Sequence, residues 1–325
     1  MTVIERPALG LTGRVRRKLG AVVTDGFFKG AANGAKWLPI AHPRLHGVEV
    51  ERNIAYADDG RVEHTLDLYR PRGATGPLPV VLYIHGGGFR FLSKDTHWVF
   101  GLVFARRGYM VASINYRLAP EHRFPAAIED ACAAWTWLAK NAERLGGDPN
   151  RMFIAGESAG ANLATSITLA STYERPEPFA RKVFDAGVVP TGVIPACGLF
   201  QVSDPERFKL RPNGYFWDRI AEVTDAYLHG AQLDHELALD LADPVVALER
   251  GDKPHRPLPP FFIPGGGWDV LKADSLRLAE ALRRLGGRAE ARIYPRGPHA
   301  FHAFVFTPSA LRCWRDTFEF MDGVR

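Results

Sequence analysis

Met152-Phe153-Ile154-Ala155-Gly156-Glu157-Ser158-Ala159-Gly160-Ala161-Asn162 decides the fold. An apolar run of strand character enters it, and the residues that leave it, Asn162 to Ser171, read as a helix. Between them a serine stands on a tight strand-to-helix turn. Gly156 and Gly160 keep that turn small and let strand and helix approach closely. A serine hydroxyl is a weak nucleophile until a base takes its proton and backbone N–H groups receive the charge that develops on the attacked carbonyl. Gly-x-Ser-x-Gly alone is weak support for such chemistry, so the rest of the chain has to supply those partners.

It supplies them in order. Upstream, Val80-Val81-Leu82-Tyr83-Ile84 is a β-type run ending in His85-Gly86-Gly87-Gly88-Phe89, a glycine cluster whose amides can face a cavity unobstructed. Downstream, Phe261-Phe262-Ile263 leads into Gly265-Gly266-Gly267-Trp268-Asp269, an acid just past a strand end. Ala291-Arg292-Ile293-Tyr294 then precedes Pro295-Arg296-Gly297-Pro298-His299, a histidine just past another. The order Ser…Asp…His, each member at the C-terminal end of a strand, is the one α/β-hydrolases use. Two rivals are present. Asp274 competes with Asp269 but falls a turn into the next helix, and His302 lies three residues after His299.

With these motifs go Tyr116-Arg117-Leu118-Ala119-Pro120-Glu121-His122 and Phe124-Pro125-Ala126-Ala127. Together they resemble the hormone-sensitive-lipase branch of the α/β-hydrolases, the bacterial esterases marked by His-Gly-Gly-Gly. The resemblance runs from about Val80 to the C-terminus and is faint over 1–47 and roughly 203–242. It implies an α/β-hydrolase fold: a mostly parallel eight-stranded sheet with helices on both faces and a helical cap. Residues 48–202 and 243–325 would form the core, and 1–47 and 203–242 the two parts of the cap.

The resemblance also implies roles. Ser158 becomes the nucleophile, His299 the base and Asp269 the acid that orients it. Backbone N–H groups of Gly87, Gly88 and Ala159 become the oxyanion hole. His299 is preferred to His302 because the family's histidine precedes a small residue and a phenylalanine, here Ala300-Phe301. His85 is expected to hold the glycine loop by hydrogen bonding, with Asp130 and Arg117 as scaffold residues. The implied reaction is hydrolysis of small esters with short-to-medium acyl chains, without cofactor or metal. Amide or lactone hydrolysis, or a non-catalytic receptor on the same scaffold, are the alternatives, and a homodimer through a sheet edge is left open. Glu157 stands where Asp or Thr is commoner in the family. A carboxylate beside the nucleophile is expected to be paired, by an arginine for example, or to have a shifted pKa.

Composition fits this reading. The 325 residues, 46% hydrophobic, can bury one large core. Strands are expected at 48–57, 64–70, 80–85, 109–115, 152–156, 188–195, 260–264 and 289–294, the first two as half-exposed antiparallel edge strands. Helical patterns cover 95–107, 126–144, 160–172, 273–285 and 308–322, with a further helical run through Tyr227. A net charge of +5, spread along the chain, does not suggest nucleic acid. The cluster Arg14, Arg16, Arg17 and Lys18 reads as a solvated helix face. Cys132, Cys197 and Cys313 are far apart in apolar surroundings, as expected of free thiols in the cytoplasm. The chain has no apolar run long enough for a membrane span, and no zinc-type cysteine or histidine spacing is expected.

Overall fold

All eight expected strands form, and they join one sheet. They are β1 (Val48–Ala55), β2 (Thr65–Pro71), β3 (Leu78–Ile84), β4 (Met110–Ile114), β5 (Gly147–Glu157), β6 (Gly192–Ala196), β7 (Phe261–Gly266) and β8 (Ala289–Tyr294). The computed structural model describes residues 2–3, 26, 30, 34, 39–209, 214–233 and 236–324. The strand order is β8-β7-β6-β5-β3-β4-β2-β1. From β3 onward every pairing is parallel, while β2 runs antiparallel to both β1 and β4.

Alternation along the central strands sends side chains to two cores. Val80, Leu82 and Ile84 of β3 face one, and Val81 and Tyr83 the other. Helices α2 (Ala126–Asn141), α3 (Ala159–Thr172), α4 (Pro178–Asp185) and α7 (Lys272–Arg284) cover the first face. Helices α1 (Trp98–Ala105) and α8 (Pro308–Gly323) cover the second, where Phe104, Trp314 and Phe318 pack edge-on and stacked. Apolar strands buried on both faces are what a parallel sheet requires.

One expectation for the sheet needs correcting. β2 is not a half-exposed edge strand: it lies between β1 and β4, and Leu66, Asp67, Leu68 and Tyr69 are all buried. Its polar positions do not mark a solvent face. The Asp67 carboxylate accepts hydrogen bonds from Lys94 Nζ at 2.7 Å, Arg52 at 2.7 Å and the Asn53 amide at 3.0 Å. Lys94 is itself only 1% exposed, so the pair is compensated rather than solvated. Only β1, half-exposed on the outside, is the edge expected.

The segment between β6 and β7 holds α5 (Gly214–Leu228) and α6 (Pro244–Glu249). α5 lies against the glycine loop after β3: Phe89 stacks on Tyr227 at 3.9 Å, and Arg90 pairs with Glu222 at 3.0 Å. Thr2–Val3 pairs antiparallel with Gln232–Leu233, joining the chain's start to this same segment. The basic cluster at 14–18 lies outside the described residues, as does most of the 1–47 segment expected to form the first part of the cap.

Candidate active site

The loops carrying the candidate residues all follow the C-terminal ends of parallel strands. β5 ends at Glu157 and Ser158 follows at φ +54°, a left-handed conformation that an L-residue adopts at a cost. The turn is held by backbone. Ser158 N–H donates to the Ala196 carbonyl at the end of β6 (2.9 Å), and the Ser158 carbonyl accepts from the Ala161 and Asn162 amides. A Cβ on Gly160 would sit 2.1 Å from the Ile84 carbonyl oxygen, and one on Gly156 would sit 2.4 Å from that of Gly160. Both glycines are required by contact, as the elbow needs. Every residue of α3 is buried, so the helix that starts at the elbow cannot drift.

After β3, Gly87 and Gly88 take positive φ (+101° and +59°) and are partly exposed, whereas Gly86 is buried beneath them. Among the described residues, the N–H groups of Gly87, Gly88 and Ala159 donate to no backbone carbonyl. The loop is held from behind. His85 Nδ1 lies 2.7 Å from the Gly86 carbonyl oxygen, its ring stacks on Tyr116 at 4.3 Å, and Tyr116 donates to the His85 carbonyl. Burial and the neighbouring His97 push His85 down to about 3, so it stays neutral, the loop-holding part expected of it.

His299, on the loop after β8, places Nδ1 2.9 Å from Asp269 Oδ2. The other carboxylate oxygen accepts from the Leu271 amide at 2.9 Å. The two loops are laced by backbone: Gly267 N–H to the Tyr294 carbonyl (2.8 Å) and Trp268 N–H to that of Gly297 (3.0 Å). Burial opposes charge on both partners, but each other's charge and their hydrogen bond win. Asp269 is held below the usual carboxylate range, and His299 is raised to about 9. Next to Ala196 in the chain, the sulfur of Cys197 lies within 4.8 Å of the Asp269 and His299 donor atoms. The Ser158 turn and the Asp269–His299 pair therefore lie over neighbouring strand ends.

The rivals are engaged elsewhere. Asp274 accepts from Arg207 at 2.6 Å and from the Phe200 amide at 3.0 Å, which ties down the loop after β6. His302 is buried against Phe100 and Trp314, and burial lowers it to about 4. Arg117 grips Asp130 with two guanidinium nitrogens at 2.7 to 3.0 Å and its own amide at 2.7 Å, a scaffold clamp between the loop after β4 and α2.

Glu157 is 5% exposed, and its partner is a histidine rather than an arginine: His97 Nε2 lies 3.2 Å from Oε1. Burial alone would raise this carboxyl, but the His97 hydrogen bond and the surrounding histidines bring it to about 2. Nothing in the local sequence around Glu157 names His97, which lies sixty residues away. Against expectation, one His-x-x-x-His spacing does occur, His42 and His46, on the turn before β1. Among the described residues, the only three donors grouped closely enough for a metal ion are Cys197, Asp269 and His299, where the Asp–His hydrogen bond already joins two of them.

Comparison with known proteins agrees with this architecture. A family profile for the alpha/beta hydrolase fold matches residues 81–303. The carboxylesterase NlhH of Mycobacterium tuberculosis is 33% identical over 264 residues, 80% of this chain and 77% of that one. The versiconal hemiacetal acetate esterase of Dothistroma septosporum is 26% identical over 84% of this chain and 79% of its own. Among solved structures, esterase B from Lactobacillus rhamnosis superposes with a TM-score of 0.77 at 21% identity, covering 96% of this chain and 95% of its own. That likeness concerns the fold alone. The chain belongs to the hormone-sensitive-lipase-like family of α/β-hydrolases, a family of carboxylic ester hydrolases.

Proposed function

We propose that this carboxylic ester hydrolase works through an acyl-enzyme on Ser158. Ser158 Oγ attacks the ester carbonyl while His299 Nε2 takes its proton. The same proton then leaves with the alcohol, and a water molecule deprotonated by His299 releases the acid. Asp269 keeps the Nδ1 proton in place and stabilises the imidazolium. The amides of Gly87, Gly88 and Ala159 receive the oxyanion; removing one such donor typically costs about 3 to 4 kcal/mol of barrier. The observation that carries this reading is the 2.9 Å His299–Asp269 pair, set over the strand ends that also hold the Ser158 elbow.

The substrate in this reading is a small ester with a short-to-medium acyl chain, and 203–242 with the N-terminal segment is its cap. What supports the size limit is the crowding above the oxyanion loop, where a Cβ on Gly88 would stand 2.5 Å from Val223 of α5. A side chain this close to the loop suits compact substrates. The relative from Dothistroma septosporum is named for an acetate ester. The three buried free cysteines suit a cytoplasmic enzyme. Among the described residues, no helix is long and apolar enough to cross a membrane.

Two measurements test the reading. Hydrolysis of p-nitrophenyl esters of increasing acyl length should peak at short chains, and no turnover at any length would favour a receptor. Mass spectrometry after a fluorophosphonate should find the label on Ser158, and Ser158→Ala should lose about 10⁵ to 10⁶ in kcat. Label on another residue overturns the mechanism.

A further inference from the structure

Behind the nucleophile lies a second buried carboxylate that the triad does not use. Glu157 is packed face-on against the base of the oxyanion loop: a Cβ on Gly86 would fall 2.0 Å from its Oε1 and 2.9 Å from its own carbonyl oxygen. The loop cannot sink toward the sheet without displacing this side chain. The side chain in turn is held by His97, whose own Nδ1 lies 3.2 Å from the Ser93 carbonyl oxygen and 2.9 Å from Thr96 Oγ1. Loop, carboxylate and His97 are thus linked by direct contacts.

The same carboxylate is felt by the base. The groups around Glu157 are His97 before α1, His85 after β3, His299 and His302 after β8, the Tyr83 and Tyr116 hydroxyls, and the Cys197 thiol. The groups around His299 are Asp269, Glu157, His302 and the Cys197 thiol, which burial pushes up so that it stays neutral. Burial keeps His302 and His85 neutral at pH 7, so neither cancels the charge of Glu157 there. In the transition state the imidazolium is then stabilised by the bonded Asp269 and, more weakly, by the charge of Glu157.

Resting on the triad reading above, we propose that Glu157, clamped by His97, is a positioning residue for the hydrolysis, acting on the oxyanion loop through Gly86 and on His299 through its charge. The two actions separate by substitution. Glu157→Gln keeps the contact with Gly86 and removes the charge, while Glu157→Asp keeps the charge and withdraws from Gly86. For Glu157→Gln the acid limb of the kcat/KM–pH profile should move down by about one unit, with kcat falling roughly tenfold and KM nearly unchanged. For Glu157→Asp the limb should stay in place while kcat falls. An unmoved limb in Glu157→Gln overturns the proposal, including when melting shows a destabilised fold, because that result makes Glu157 scaffold only. Fluorophosphonate titration of wild type and variants keeps the two levels apart. Label absent from Ser158 in the wild type defeats the triad reading itself, whereas full labelling with an unmoved limb defeats only the part given to Glu157.

Discussion

The elbow at Gly156–Gly160 and the loop at Pro295–Thr307 each carry one residue of the proposed triad, but they are held by different means. At the elbow the restraints are backbone: strand ends, carbonyl oxygens 2.1 to 2.4 Å from where a Cβ would be, and a helix buried along its whole length. The histidine loop is more open. About a third of the His299 side chain is exposed, and Phe304 and Phe306 just beyond it are 45% and 76% exposed. There the imidazole is aimed by one carboxylate and two backbone hydrogen bonds between neighbouring loops. In the proposed mechanism, a nucleophile fixed by the sheet tolerates no added atom, while a base fixed by side-chain contacts is sensitive to charge.

Substitutions can break this contrast. On the histidine side, Asp269→Asn should lower kcat by about 10³ to 10⁴ in ester hydrolysis, second only to the loss at Ser158, with little change in thermal melting, since the amide holds the wrong tautomer but fills the same space. An unchanged rate would move the acid's part to Asp274, despite its engagement with Arg207. Gly160→Ala should do the reverse and strike the fold. Its methyl would meet the Ile84 and His85 carbonyl oxygens at 2.1 and 2.6 Å, neither of which can rotate away. Denaturant unfolding should show a loss of about 3 kcal/mol or more, and wild-type stability would show that the elbow is softer than its contacts imply.

Two smaller effects sharpen the comparison. A general base works only when neutral, and Asp269 and Glu157 raise His299 from 6.5 to about 9. Activity should therefore rise with pH across that interval, and the acid limb of kcat/KM should lie above 6.5. A limb at or below 6.5 would mean that solvent reaching the exposed third of the ring screens the carboxylates. The smallest effect is expected at Phe306→Ala, within about 0.5 kcal/mol of wild-type stability, because the ring is mostly in water. A larger loss would show that the histidine loop is held by more than the bonds around Asp269.

The two regions also differ in how far they could be read in advance. The elbow was legible because its requirements are local: an apolar run, two small residues and a helix-forming stretch are covalent neighbours. All eight strands were legible for the same reason, although β5 begins at Gly147 rather than 152 and β6 spans Gly192–Ala196 rather than 188–195. Helices α4 and α6 were not anticipated. At eight and six residues they span too few turns for an apolar period to emerge, and each is opened by a proline that also reads as a loop signal. Asp67 misled because alternation in β2 looks the same whether its carboxylate meets water or Lys94.

Order along the chain was enough to nominate Ser158, Asp269 and His299, since each follows a strand and the parallel sheet gathers strand ends on one side. Pairings between loops were beyond it. That Glu157 would meet His97, that Cys197 would lie beside Asp269 and His299, and that Asp274 would turn to Arg207 were decided only when the sheet set those loops side by side. Local patterns reflect forces between covalent neighbours, whereas a choice among eleven histidines for one buried carboxylate depends on distances that exist only after folding.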